Sequence, residues 1–229
     1  MGAIGLYRLL AWLSPSFPIG AFSYSHGLEA AVENGAVHNR ATLQRWIAAV
    51  LEHGGGRIDG DILRDAHRAA AADDVGALAA VNRRGLAYRA TAELALETTA
   101  QGEAFLVTCR AAWCEPFLDR WAATLGASNE TVCYAAAVGA ATARAGIAVG
   151  CALTAYLEAM AANLVSAGLR LGLIGQTDGQ RILAAFEPVV IEAVLAAMSR
   201  DPADFGAAAF AVDLASMVHE TQYTRLFRS

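Results

Sequence analysis

The chain contains no lysine: all 17 of its basic residues are arginine. That absence removes a Walker A lysine, a Schiff-base lysine and a lysine general base, and with them P-loop nucleotide hydrolysis. CxxC pairs are missing too. Cys109, Cys114, Cys133 and Cys151 stand singly in apolar, helix-like sequence. This is the pattern of buried small hydrophobes in a reducing compartment, not of a disulfide frame or metal knuckle. The five histidines are scattered singly, so no spacing makes a high-affinity nickel or zinc site. Positive charge is scarce, and a net charge of -5 argues against nucleic acid as a partner.

Long uninterrupted apolar runs are also lacking, although 56% of the residues are hydrophobic. Alanine supplies much of that fraction, and aromatics only 8%. Between residues 131 and 177, Arg144, Glu158 and Arg170 break the apolar stretches. None reaches the roughly 18 charge-free residues of a spanning helix. Arg8 and Pro15 leave no cleavable signal pattern at the start. The expectation is a soluble cytoplasmic protein with closely packed helices. A partly apolar exposed surface would mark association with other proteins.

What is present is helical periodicity. No alternating run bounded by turn residues argues for a strand. Ile4, Leu6, Leu9, Leu10 and Leu13 form a first stripe that Pro15 stops. A short helix is expected from about Ser25 to Asn34, and Asn39 is a good N-cap for the next. Gly54-Gly55-Gly56 should end that helix and Asp59 open another. Asp73, Thr91, Pro116 and Ser128 mark further starts. Val149, Leu153, Leu157, Met160, Leu164 and Leu171 trace one long apolar face. Gly175 reads as a stop, with Thr177 and Gln180 completing a capping box. Pro188 predicts a kink. The fold class is all-α: one domain over 1–229, a bundle of roughly eight to ten helices with mobile N- and C-terminal segments.

Catalytic constellations are weak throughout. His219-Glu220 lacks the second histidine of H-E-x-x-H, because Tyr223 stands there. Ser23, Ser25 and His26 have no G-x-S-x-G elbow and no evident orienting group. His26 therefore reads as a packing or capping histidine, or as an interface contact. Gly54-Gly55-Gly56-Arg57 could cradle an anion, or could be an ordinary interhelical loop. The least ordinary stretch is Ser14-Pro15-Ser16-Phe17-Pro18-Ile19-Gly20-Ala21-Phe22-Ser23-Tyr24-Ser25-His26-Gly27-Leu28-Glu29. Two prolines, two glycines and three aromatics make it too specialised for a plain connector. A helical enzyme or small-molecule binder remains the alternative to an interaction protein.

Three segments carry a resemblance: this opening stretch, Gly175-Gln176-Thr177-Asp178-Gly179-Gln180-Arg181, and the tail from His219 to Ser229. Their order and spacing resemble the UreF family of urease accessory proteins across essentially the whole chain. Ala21 stands where that family often has a second glycine. The resemblance implies a dimeric, non-catalytic adaptor that bridges a UreD/UreH-type scaffold and the GTPase UreG. That complex delivers nickel to the urease apoprotein, so nickel is cargo and no cofactor is stably bound. It also implies that residues 206–229 form the partner-binding segment, with Tyr223, Arg225, Phe227 and Arg228 as contacts. His219, Glu220, Gln176, Asp178 and Arg181 join them as candidates. Tyr24, His26 and Glu29 would face the GTPase or the nickel-transfer path, unless Phe17, Phe22 and Tyr24 merely lock the first helices onto the core.

Overall fold

A computed structural model describes residues 2–229, which fold into twelve α-helices and two short 3-10 turns. The helices are α1 (Ala3–Trp12), α2 (Leu28–Glu33), α3 (Arg40–His53), α4 (Gly55–Ala71), α5 (Val75–Ala87) and α6 (Ala92–Trp113). They continue with α7 (Pro116–Ser128), α8 (Tyr134–Arg144), α9 (Val149–Arg170), α10 (Gln176–Ala185), α11 (Glu187–Ser199) and α12 (Phe210–His219). α10 and α11 part at Phe186 with a 41° bend. Pro188 then sits in the first turn of α11, where its missing N–H leaves no bond unmade.

Local chemistry explains several starts. Asn39 caps α3 reciprocally with Thr42: its side chain accepts from the Thr42 amide at 3.0 Å, and Thr42 Oγ1 accepts from the Asn39 amide at 3.0 Å. Thr91 caps α6 through the Leu94 amide, and Glu115 with Pro116 opens α7. Other starts differ from the sequence expectation. α4 begins at Gly55, because Gly54 alone breaks the chain and the next two glycines enter the first turn. Asp74, not Asp73, caps α5, accepting from the Ala77 amide at 2.8 Å. Ser128 closes α7, and α8 starts only at Tyr134. Asn82 holds the intervening stretch extended, bonding the Thr131 carbonyl and the Cys133 amide at 2.8 Å each. Gly175 itself caps α10 without a side-chain bond, so Thr177 falls inside the helix and the expected capping box does not form.

The centre of the bundle is built on small residues. α8 lies against α4, and a Cβ added to Gly139 would sit 2.5 Å from the Leu63 carbonyl oxygen. Only glycine permits that approach. Ala135, Ala136 and Ala140 extend the same close seam. α9 is the second central element, packing on α3, α4, α10 and α11. It is long and apolar enough to cross a membrane by length and composition, yet carries Glu158 and buries Leu153, Leu157 and Leu164 among the other helices. All four cysteines are free. Burial pushes the Cys109 thiol up to about 12. Cys114, expected to be buried, is exposed because it closes α6 in a left-handed conformation.

Candidate functional site

The opening segment and the tail, nearly 200 residues apart, meet on the N-terminal half of α6. Phe17 and Tyr24 are buried, whereas Phe22 stays exposed. Phe17 packs its ring 5.3 Å from that of Phe105 on α6. The chain then turns through two consecutive left-handed residues, His26 at φ 53° and Gly27 at φ 71°. That conformation is strained for a residue with a side chain and persists only where surroundings enforce it. Gly27 also lies directly under α12: an added Cβ would be 2.6 Å from the Ser216 amide nitrogen.

α6 supplies what the two segments bind. Glu93, Glu97 and Gln101 recur every four residues and form one polar stripe. Glu97 Oε1 accepts from His26 Nε2 at 3.0 Å and from Gln101 at 3.0 Å. Its Oε2 accepts from the Ser229 hydroxyl at 3.0 Å. Glu93 accepts from His219 Nδ1 at 2.8 Å and from Arg225 at 2.9 Å. Glu29, at the start of α2, accepts from His219 Nε2 at 3.1 Å and from the backbone amides of Leu226 at 2.7 Å and Phe227 at 2.9 Å. The Ser25 amide donates to the Ser229 carbonyl at 2.7 Å, and the Arg228 amide to that of Ser23 at 2.7 Å.

The tail is thus seated: Glu29 accepts from its Leu226 and Phe227 amides, the backbone of the opening segment pairs with Arg228 and Ser229, and Glu93 and Glu97 accept from its side chains. Phe227 is 3% exposed, with the Arg170 guanidinium 4.4 Å above its ring. Burial alone would lower the pKa of His26, but the charge and hydrogen bond of Glu97 outweigh it and hold the value above the ordinary histidine range. Burial raises the Tyr24 phenol.

Each residue singled out in the sequence has a definite place. Tyr24, His26, Glu29, His219 and Phe227 are buried in this cluster. Arg225 reaches Glu93 from the rim, Glu220 accepts from the Ala92 amide at 3.2 Å, and Arg228 and Tyr223 face solvent. Gln176, Asp178 and Arg181 lie elsewhere, at the start of α10. There Asp178 pairs with Arg181 at 3.0 Å and Arg40 at 3.1 Å. Those bonds, Arg181's first, lower the Asp178 carboxyl below its usual range. Glu93 and Glu97 escaped sequence reasoning. The signal for them is a polar residue every four positions, Glu93, Glu97 and Gln101, on one face of α6.

Outside the cluster, α12 turns Phe210, Leu214, Met217 and Val218 to solvent, the first two 76% and 60% exposed. Tyr223 and Leu226 on the tail are exposed as well. Inside it, a cavity of about 370 Å³ opens between the opening segment, α6 and α9. Two closed ion pairs line it, His26 with Glu97 and Arg89 with Asp59 at 2.6 Å, beside Tyr134 and Tyr156. Tyr156 donates to Asp59 at 2.8 Å. Among the described residues, no group of three or more His, Cys, Asp or Glu is arranged to hold a metal ion.

Residues 37–187 match the UreF family. The chain is 50% identical over 224 residues to the urease accessory protein UreF of Rhodopseudomonas palustris strain HaA2, covering 98% of this chain and 93% of that one. To the urease accessory protein UreF of Granulibacter bethesdensis it is 48% identical over 228 residues, 100% of this chain and 95% of the relative. A UreF of a Bradyrhizobium strain is 47% identical over 224 residues, covering 98% and 92%. With the opening segment, late-helix motif and tail all in place along an all-α chain, the protein belongs to the UreF family of urease accessory proteins.

Proposed function

We propose that this chain is a non-catalytic adaptor in urease maturation. It docks a UreD/UreH-type scaffold, bridges it to a UreG-type GTPase, and modulates GTP-dependent nickel delivery to the urease apoprotein. In this reading the adaptor is a cytoplasmic homodimer, nickel is cargo, and no cofactor is resident. One observation carries the scaffold contact: the apolar ridge of Phe210, Leu214, Met217 and Val218 on α12, with Tyr223 and Leu226 exposed on the tail. A ridge of that size on the surface of one chain is a mark of association. Burying each such side chain contributes about 1.5–3 kcal/mol, and tyrosine is a favoured anchor at interfaces. Arg225 and Phe227 serve the ridge from behind, by fixing the tail, while Tyr223 and Arg228 offer direct contacts. Gln176, Asp178 and Arg181 form a second exposed patch, suited to a different partner.

Co-expression with scaffold and GTPase, followed by size-exclusion chromatography and a GTPase assay, tests this. A ternary complex with an altered rate of GTP hydrolysis is expected. Separate elution of the three proteins would refute it.

The cavity favours one other reading, a small-molecule binder. Four of its charged groups are spent on each other in two ion pairs, and Glu158 and Asp213, which also line it, are both acidic, so an anionic ligand is disfavoured. A ligand screen by thermal shift decides: a compound that raises the melting temperature of wild type, but not of a Tyr134→Ala variant, would support this second function.

A further inference from the structure

Where the opening segment, α6 and the tail join, three buried carboxylates meet two histidines and one arginine. Glu29, Glu93 and Glu97 are 8%, 7% and 7% exposed. The tail's Arg225 is their one arginine partner, and it pairs with Glu93 alone. His219 is fully buried between two carboxylates, one at each ring nitrogen, at 2.8 and 3.1 Å. A charged ring donates to both; a neutral ring turns a lone pair against a carboxylate oxygen. His26 meets Glu97 with Nε2 and holds its own backbone at φ 53°, a strain that the contact helps maintain. With the His26 ring charged, the buried Glu97 carboxylate has a cation beside it; with the ring neutral it has none, an arrangement burial strongly disfavours.

The two histidines grip the tail at both ends. His219 anchors the end of α12 and fixes the Glu29 carboxylate that accepts the Leu226 and Phe227 amides. His26 fixes the Glu97 carboxylate that accepts from Ser229. We propose that the His26–Glu97 and His219 contacts form a latch operated by the proton on His26, which holds the tail on the opening segment when that ring is charged and releases residues 220–229 when it is neutral. The consequence for partner binding rests on the scaffold-docking reading above, because the tail carries the exposed Tyr223 and Leu226.

The groups facing the latch set its direction. His26 faces Glu97 on α6, Asp59 on α4, and Arg89 between α5 and α6. His219 faces Glu29 on α2, Glu93 on α6, and, through Glu93, Arg225 of the tail. The value for His26 lies above the ordinary one in the folded chain. Its contribution is therefore complete below about pH 6.5 and is lost as pH climbs through the raised value. The latch is closed below about pH 6.5 and loosens as the pH rises through the raised His26 value.

Hydrogen exchange on the full chain reads this directly. Protection of the Leu226 and Phe227 amides, corrected for intrinsic rates, is followed from about pH 6 to about pH 9 against reference amides in α8. The tail amides are expected to lose at least about tenfold more protection than the α8 amides. In a His26→Gln variant that pH dependence disappears. Ring ¹⁵N shifts of the wild type provide a readout that needs no variant: the His26 ring must change from charged to neutral over the interval in which the tail opens. Tail protection that tracks α8 throughout, or a His26 ring already neutral while the tail is protected, overturns the latch. Scaffold affinity over the same pH range separates the two readings. A tail that opens while affinity stays flat sustains the latch and removes the docking site.

Discussion

The tail site and the late-helix motif at 175–181 were equally conspicuous in the sequence, yet they do opposite things. In the first, Glu29, His219 and Phe227 are withdrawn from solvent and bind one another across the whole length of the chain. In the second, Asp178 and Arg181 sit at the surface and bond across a single turn and to nearby Arg40. A polar motif can therefore serve a partner in two ways. It can be the contact itself, or it can be the hidden clamp that gives a neighbouring apolar surface its shape. The tail does the second, and the ridge of α12 is what it shapes.

The comparison can be sharpened from its strong end. Glu29→Ala strands two backbone amides and a buried histidine, and breaking such a buried arrangement costs about 3–5 kcal/mol. Denaturant unfolding should show that loss, and a value near zero would mean the cluster is not the clamp. Gly27→Ala comes next, since it places a side chain at a left-handed position against the backbone of α12. The backbone strain alone is worth about 1–3 kcal/mol, so a lower melting temperature with earlier exchange of the α12 amides is expected. An unchanged melting temperature would show that α12 does not depend on this approach. Asp178→Asn marks the weak end. Its ion pairs are exposed and screened, so thermal stability should not move, whereas association with one partner should if the patch is a contact. A clear fall in stability would place this motif with the clamp.

Much of the fold was legible because helix periodicity and caps are local signals. The spans of α3, α6, α7 and α9 follow from Asn39, Thr91, Pro116 and a continuous apolar face. The shifted starts of α4 and α5 are local, one glycine or one aspartate away, whereas that of α8 has a non-local cause: Asn82, far along the chain, keeps 131–133 extended. The site divided in the same way. His26, Glu29, His219 and Phe227 stood out as unusual residues, but their mutual contact crosses some 190 positions and no local pattern encodes it. Glu93 and Glu97 were passed over because acidic residues on a helix ordinarily face water. The tail looked mobile for a related reason: its polarity reads as solvation until the buried carboxylates that receive it are known.

In the proposed function, the exposed apolar face of α12 beside the seated tail is the scaffold-docking surface. Leu214→Asp tests it most directly, because Leu214 is exposed and its replacement leaves the clamp and the core untouched. Affinity of this variant for a UreD/UreH-type scaffold should fall by at least about tenfold, as for a residue near the centre of an interface, with unchanged helicity and melting temperature. A Leu214→Asp variant that binds the scaffold as tightly as the parent chain would contradict it.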